Sequence, residues 1–151
     1  MKSALAAVAF VESAKAAMTK PQDRNAYPAF ASAMEAAGGF QWEPVPVTSN
    51  MYDLMMFHLI GDNAGLDLPS TKGPILLSTG MYSDMLDWLE RDDTFQMPVA
   101  FQLAQRGYDV WLASGRGRQF SNTHLLWSSS DPVTAPYYWD YTFEDIGMED
   151  V

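Results

Sequence analysis

The apolar and polar residues of this chain change period several times, and each change predicts a new element. Between Pro98 and Arg106 the apolar residues recur at helical spacing, and Gly107 can adopt the left-handed conformation that ends a helix. Residues 108–112 (YDVWL) form a short run of aromatic and β-branched residues, which is typical of a buried strand. The loop 113–121 follows. This order predicts a parallel sheet with crossover helices, and ligands are expected beside the loop after the strand.

Upstream of this block the pattern predicts a second helix, a hairpin and another strand. An alanine-rich helical segment covers 29–37 and ends at Gly38 and Gly39. From 40 to 60 the period is two, which predicts an antiparallel hairpin whose first strand, carrying two prolines, lies at a sheet edge. The apolar run within 74–78 is interpreted as a fully buried central strand. Together these elements predict an α/β fold.

The first 19 residues carry a weak amphipathic pattern, which favours a short helix followed by a linker. Lys2 and the apolar run 4–11 also imitate a secretory signal, although Glu12 interrupts that pattern. A signal or organelle-targeting peptide stays open as an alternative, so secretory, lysosomal and organellar locations all stay open.

Charge and composition exclude several classes of function. The 151 residues carry a formal net charge of −10, which argues against nucleic acid as a partner, because binding phosphates needs a basic surface. The chain has no cysteine, so disulfides, cysteine-ligated zinc and thiol nucleophiles are excluded. No apolar run approaches the roughly 18 residues of a membrane-spanning helix. His58 and His124 lack metal-binding spacing, so we expect them to be structural, and no metal or cofactor is implied.

Three blocks of the sequence resemble the acid lipase family of α/β hydrolases, which includes lysosomal and gastric lipases. Residues 103–117 (LAQRGYDVWLASGRG) are similar to the family signature LAxxGYDVWLxNxRG. Residues 47–60 (VTSNMYDLMMFHLI) resemble its V-T-x-D-G-Y-x-L strand pair, and residues 138–151 resemble its F-W-x-F-S-F-D-E-M segment. The resemblance covers about residues 38–151.

This resemblance implies that 38–151 form the N-terminal half of an α/β-hydrolase sheet, incomplete on its own, preceded by a helical extension and linker, 1–37. It also implies that the family's central strand, which leads to the nucleophile, lies between the strands at 74–78 and 108–112. We therefore expect a gap between these two strands that a second polypeptide fills.

The activity that the resemblance implies is hydrolysis of lipid carboxylic esters. In the family, the strand corresponding to 74–78 ends in His-Gly-Leu, and the residue after the glycine donates its backbone N–H to the oxyanion. Gly80 and Met81 match these last two positions, whereas Thr79 replaces the histidine. Met81 is therefore the oxyanion-hole candidate.

The sequence contains no G-x-S-x-G motif, and the resemblance places that motif beyond Val151. Ser78 and Ser114 lack its flanking glycines and a base partner, so we interpret them as structural, and no catalytic side chain is predicted. Two hypotheses follow. In the first, this is an inactive piece of a lipase whose catalytic remainder is another chain, or was removed or not included; in the second, it is a non-catalytic structural or interaction subunit derived from a lipase. Thr79 favours the second, as does Met51, where the family usually has glycine.

The loss of glycine at Met51 also suggests a different geometry for the hairpin turn, with Asn50 in the left-handed position.

Arg116 and Gly117 match the family's R-G turn beneath the active site. The surrounding glycines fit neither a dinucleotide fingerprint nor a P-loop. We therefore expect Arg116 and Arg118 to be structural arginines bound to carboxylates, in preference to substrate contacts. The acids near the end of the chain lack calcium-site spacing. The candidate partners of the arginines are Asp140, Glu144, Asp145 and Asp150.

Overall fold

The computed structural model describes residues 23–61, 71–80, 83–90 and 97–150. The helix predicted for 1–19 and the oxyanion candidate Met81 lie outside these ranges. The described residues form a mixed sheet with helices, so the predicted α/β architecture is confirmed. That this sheet is the N-terminal half of a larger one stays a prediction, as does a domain boundary at residue 37.

The predicted hairpin is present as β1 (Gln41–Ser49) and β2 (Tyr52–Gly61), which pair antiparallel along their whole length. Strand β1 lies at the edge of the sheet, as its two prolines predict. The connecting turn has Asn50 at φ 43° and Met51 at φ 67°. The left-handed Asn50 is confirmed. The expected change of geometry at Met51 is wrong, because the methionine adopts the positive φ that glycine would have.

The strand order is β1-β2-β4-β3, where β3 is Pro74–Ser78 and β4 is Asp109–Ser114. Strands β3 and β4 pair directly and in parallel, from Pro74 opposite Asp109 to Ser78 opposite Ala113. The predicted gap between them is therefore wrong, because each strand satisfies the facing backbone groups of the other. The prediction of a fully buried central strand at 74–78 is also wrong. Within the described residues β3 forms the edge of the sheet opposite β1, and Leu77 is its only buried residue.

The helices α1 (Pro28–Ala37) and α2 (Val99–Gln105) and the 3₁₀ turn Met85–Leu89 contribute to one hydrophobic core on the sheet. Helix α2 starts after Pro98 and ends at Gly107, whose φ of 87° provides the predicted left-handed cap. The core includes stacked Phe30 and Phe57, with ring centroids 3.7 Å apart. Because side chains alternate along a strand, a second buried cluster lies on the opposite face and consists of Val45, Met56, Trp111 and Ala113.

After β4 the chain forms the short strand β5 (Thr123–His124), which pairs with the start of β2. It then forms the short helices α3 (Ala135–Tyr138) and α4 (Phe143–Glu149). Tyr138 packs against Tyr52 and Leu54 of β2 in a third buried cluster. These contacts bring the C-terminal segment beside the end of β4, which is where the candidate site lies.

Candidate functional site

The candidate site lies at the sheet edge where β3 and β4 both end. Because the two strands are parallel, the residues after each of them meet at the same edge. A cavity of about 250 Å³ separates the two loops from the C-terminal segment. Its lining comprises Ser78, Thr79, Gly80, Gly115, Arg116, Gly117, Arg118, Trp139, Tyr141, Phe143, Ile146 and Asp150.

The turn after β3 is described as far as Gly80. The carbonyl oxygen of Gly80 accepts a hydrogen bond of 3.5 Å from Nη2 of Arg118, so this turn faces the loop after β4. Since Met81 lies outside the described residues, its role as an oxyanion donor stays a prediction.

Arg116 is held by carboxylates at the end of α4, as predicted for a structural arginine. Its Nε donates to Asp150 at 2.8 Å, and its Nη2 donates to Asp150 at 2.6 Å and to Glu149 at 2.8 Å. The backbone N–H of Arg116 also donates to Asp150, at 2.9 Å. The side chains of Arg116 and Asp150 are each 1% exposed. A buried pair of this kind is stable only when its donors and acceptors are satisfied, and here Nε and Nη2 of Arg116 and both carboxylate oxygens of Asp150 form hydrogen bonds.

Aromatic rings complete the environment of Arg116. Its guanidinium lies 4.6 Å from the ring centroid of Tyr52 and 5.5 Å from that of Tyr141, within the range of cation–π attraction. Burial would lower the pKa of Arg116, but the hydrogen bonds that Arg116 donates to Asp150 and Glu149 outweigh this effect, and the pKa is raised. Arg116 therefore stays a fixed cation at the end of the sheet.

Gly117 is required by the close approach of two aromatic side chains. Its φ is 74°, and a Cβ at this position would lie 2.7 Å from the ring of Trp139 and closer still to the hydroxyl of Tyr141. The Tyr141 hydroxyl donates to the carbonyl oxygen of Arg116 at 3.4 Å. The R-G turn is thus fixed by the segment that precedes α4.

Arg118 differs from Arg116. It is half-buried, and within the described ranges it forms no ion pair with a carboxylate, its hydrogen bond being the one to Gly80. The predicted pairing of arginine with acid therefore holds for Arg116 and does not extend to Arg118.

Both ring nitrogens of His58 and the Nδ1 of His124 already form hydrogen bonds, so none of these three atoms is available as a general base. His58 bridges two carboxylates, with Nδ1 at 2.9 Å from Glu43 and Nε2 at 2.6 Å from Asp109, and its ring is stacked on Trp111. His124 is 8% exposed, and its Nδ1 accepts from the backbone N–H groups of Leu126 and Trp127. Burial lowers the pKa of His124, and the nearby charge of Arg116 lowers it further. Both side chains have the structural roles predicted for them.

Ser78 and Ser114 are the predicted structural serines at this edge, and neither bonds to a histidine in the part of the chain that the structure describes. Ser114 is 2% exposed, and its hydroxyl has no hydrogen-bond partner. Its carbonyl oxygen accepts from the hydroxyl of Ser121, which in turn accepts from the backbone N–H of Met55, so Ser121 joins the ends of β2 and β4.

No group of three or more histidine or acidic side chains within the described ranges could hold a metal ion. Among those same residues, none of the helices is long and apolar enough to cross a bilayer.

Sequence reasoning named Asp150 as a possible partner of Arg116 and missed Glu149. The sequence did contain a signal for Glu149, in the residues that begin α4. Thr142 and Asp145 form a reciprocal capping box at the start of α4, which fixes where the helix begins and therefore which acids lie at its end. Carboxylates at a helix C-terminus oppose the helix dipole, so Glu149 and Asp150 need a nearby cation.

Curated proteins with similar sequences are lipases. Lipase 3 of Drosophila melanogaster is 33% identical over 105 residues, which cover 70% of this chain and 25% of that protein. Gastric triacylglycerol lipase of Bos taurus is 23% identical over 105 residues, with the same two shares. Lipase member K of Homo sapiens is 26% identical over 117 residues, or 75% of this chain and 27% of that protein.

The match covers about a quarter of the length of each of these three relatives. No family model matches the chain. The resemblance noted in the sequence is nevertheless confirmed: over about 70% of its length, this chain is similar to part of an acid lipase of the lysosomal and gastric type.

Proposed function

We propose that this chain forms part of a lipid carboxylic-ester hydrolase and supplies one wall of its active site. The observation that carries the proposal is the convergence, at one sheet edge, of the turn at Gly80 and the fixed loop of Arg116. In α/β sheets, ligands bind at the carboxyl ends of parallel strands. The relatives are a lipase and a triacylglycerol lipase, which supports an ester of a fatty acid as the substrate class.

In this proposal the backbone N–H of Met81 donates to the oxyanion of the tetrahedral intermediate. Such a donor is effective when its position is fixed before the reaction, because no free energy is then spent on reorganisation. The contacts of Arg116 fix the neighbouring loop, whose Arg118 reaches the carbonyl oxygen of Gly80. These contacts support a positioning role for Arg116 and Gly117.

The 151 residues contain no G-x-S-x-G motif. Both ring nitrogens of His58 are bonded to carboxylates, and Nδ1 of His124 is bonded to the backbone. We therefore expect the chain alone to be inactive, because an oxyanion donor without a nucleophile has no intermediate to stabilise.

Turnover of a p-nitrophenyl ester by the purified chain tests this expectation. Ser78→Ala and Ser114→Ala variants are the controls: residual turnover that both variants retain indicates a contaminating esterase. Loss of turnover in either variant would identify that serine as a nucleophile and would contradict the assignment.

We further propose that a second polypeptide supplies the missing strand and nucleophile. In the part of the chain that the structure describes, no strand pairs with the outer side of β3, and a strand edge of this kind can pair with another chain. Sedimentation of the purified chain tests this arrangement. Association with itself or with a partner is expected, and a monodisperse monomer of 16.8 kDa with a cooperative melt would count against it.

The second candidate function is a non-catalytic subunit of a larger assembly. The observation that favours it is Thr79, which stands where the family has histidine and lines the candidate cavity. The sequence of a stable partner separates the two functions: a G-x-S-x-G motif in the partner supports the divided lipase, and a partner without one supports the structural subunit.

A further inference from the structure

Arg118 is a cation with unused hydrogen-bonding capacity at the edge of the candidate cavity. The neighbouring Arg116 is neutralised by Glu149 and Asp150. Arg118 has no acidic partner within the described ranges, and its bond to the carbonyl oxygen of Gly80 is long, at 3.5 Å. A guanidinium carries five N–H donors in a rigid fork. With respect to the described residues, most of the donors of Arg118 are therefore available to a ligand.

The wall of the cavity beside Arg118 is apolar and open to solvent. Trp139 is 50% exposed and Phe143 is 71% exposed, and both line the same cavity as Ile146. Exposed aromatic side chains next to a cation without an acidic partner favour a ligand with an anionic head and a hydrocarbon chain.

The planar fork of arginine matches a carboxylate, which it can bind through two parallel hydrogen bonds. We propose that Arg118 binds the carboxylate of an aliphatic monocarboxylic acid, such as a fatty acid, whose hydrocarbon chain lies against Trp139 and Phe143. The cavity, about 250 Å³, is smaller than the roughly 300 Å³ lower limit for sites that enclose a whole drug-sized ligand. It therefore holds the head and the first part of the chain.

This inference rests on the proposed function for its choice of ligand, because hydrolysis of a lipid ester releases an acid of this kind. The binding itself requires no hydrolysis. The test therefore measures binding, and its failure is distinguishable from an absence of esterase activity.

Equilibrium dialysis of the full chain against sodium decanoate, below its micellar concentration, tests the proposal in whatever assembly state the chain adopts. Decanol serves as the uncharged analogue. We expect saturable binding of decanoate that is about tenfold tighter than binding of decanol, which corresponds to about 1.4 kcal/mol for the charged head. Equal binding of the two compounds, or no binding of decanoate, would overturn the proposal.

The variant Arg118→Gln should weaken decanoate binding about tenfold and leave decanol binding unchanged. Arg24→Gln is the matched control, since Arg24 also lies beside an aromatic ring, 5.5 Å from the centroid of Trp42, and its loss changes the net charge equally. An equal effect of both substitutions would show a general charge effect and would contradict a specific site.

Phe143→Ala tests the apolar wall without removing the cation, and the exposure of this ring makes the substitution compatible with folding. We expect it to weaken decanoate and decanol binding by the same factor, because both contain the same hydrocarbon chain. Unchanged binding of both compounds would contradict the placement of the chain against Phe143.

Discussion

Met51 occupies a backbone conformation that costs free energy for any residue with a Cβ. It is the second residue of a two-residue hairpin turn in which both φ angles are positive. Turns of this type match the twist of the paired strands, and they favour Asn-Gly at the two positions. The chain supplies the asparagine and lacks the glycine. Met51 is also 47% exposed, so its side chain recovers little of this cost by burial.

We predict that Met51→Gly raises the free energy of unfolding by about 1 kcal/mol, because the left-handed conformation is unstrained for glycine. Its carbonyl oxygen accepts from the backbone N–H of Leu125, and glycine preserves this bond. Asn50→Gly is the comparison and should not raise stability, because asparagine already tolerates this region and the substitution removes its hydrogen bond to Glu149. Urea unfolding measures both, and a destabilised Met51→Gly variant would contradict the strain argument.

The two glycines Gly117 and Gly147 provide a contrast at the same scale. Gly117→Ala should lower the free energy of unfolding by about 2 kcal/mol or more, because a positive φ and two aromatic side chains both exclude a Cβ. Gly147 lies inside α4, and no neighbouring atom lies within 4 Å of the position that an alanine methyl group would take. Gly147→Ala should raise stability by up to about 1 kcal/mol through helix propensity. Thermal unfolding of both variants tests the pair, and equal effects would show that the contacts of Gly117 are unimportant.

Helix α4 is attached to the sheet mainly by the carboxylates at its C-terminal end. Glu149 and Asp150 bind Arg116, and the side chain of Asn50 in the hairpin turn donates to Glu149 at 2.7 Å. The helix itself has no buried residue, so these polar contacts take the place of an apolar face.

We therefore predict that Arg116→Lys lowers the free energy of unfolding by about 2 kcal/mol. An ammonium cannot reproduce the hydrogen bonds from both Nε and Nη2, and the guanidinium that lies 4.6 Å from the ring centroid of Tyr52 is removed. Hydrogen exchange should show faster exchange of the amides of α4. Arg118→Lys is the matched control, expected within about 0.5 kcal/mol of the wild type. An unchanged melting temperature for Arg116→Lys would contradict the structural role.

Helices α1 and α2 and strands β1 to β4 could be predicted from the sequence because their ends carry local signals, whereas the short elements β5, α3 and α4 were not predicted. Gly107 ends α2, Gly38 caps α1, and the change of period after residue 40 marks the hairpin. The order of the strands could not be predicted in the same way. Whether β4 pairs with β3 depends on contacts between residues that lie far apart in the chain, and no local pattern encodes them. Of the two partners of Arg116, Asp150 was predicted and Glu149 was not. The sequence shows acids near the end of the chain, but it does not show where α4 ends and therefore which acids reach Arg116.

The whole molecule carries an excess of acidic groups. In three of its titratable groups folding lowers the pKa, and all three shifts favour the folded state at higher pH. The hydrogen bond from Arg116 lowers the pKa of Glu149 from its ordinary value of 4.5. Hydrogen bonds from the backbone and hydroxyl of Thr142 lower the pKa of Asp145 from 3.8. Burial lowers the pKa of His124 from 6.5. Each of these groups is protonated more readily in the unfolded chain.

We predict that stability falls in two stages as the pH decreases. The first stage begins near pH 6.5, where unfolded His124 takes up a proton before the folded form does. The second begins near pH 4.5, where the contributions of Glu149 and Asp145 start to be lost, and it is complete below their lowered pKa values. Urea midpoints between about pH 7.5 and about pH 3 test this. Glu149→Gln should reduce the lower stage, whereas Glu144→Gln is the control. Stability that increases towards acid pH would contradict the prediction.

The order of the strands has a consequence for the synthesis of the chain. Strand β2 pairs with β1 through a two-residue turn, so this hairpin can form within microseconds of emerging. The other edge of β2 pairs with β4, which ends roughly fifty residues later. At about 5–20 residues per second, a ribosome needs roughly 3–10 s to supply that strand. During this time the edge of an apolar strand is uncovered and can pair with another chain, so a low concentration of nascent chains favours correct folding.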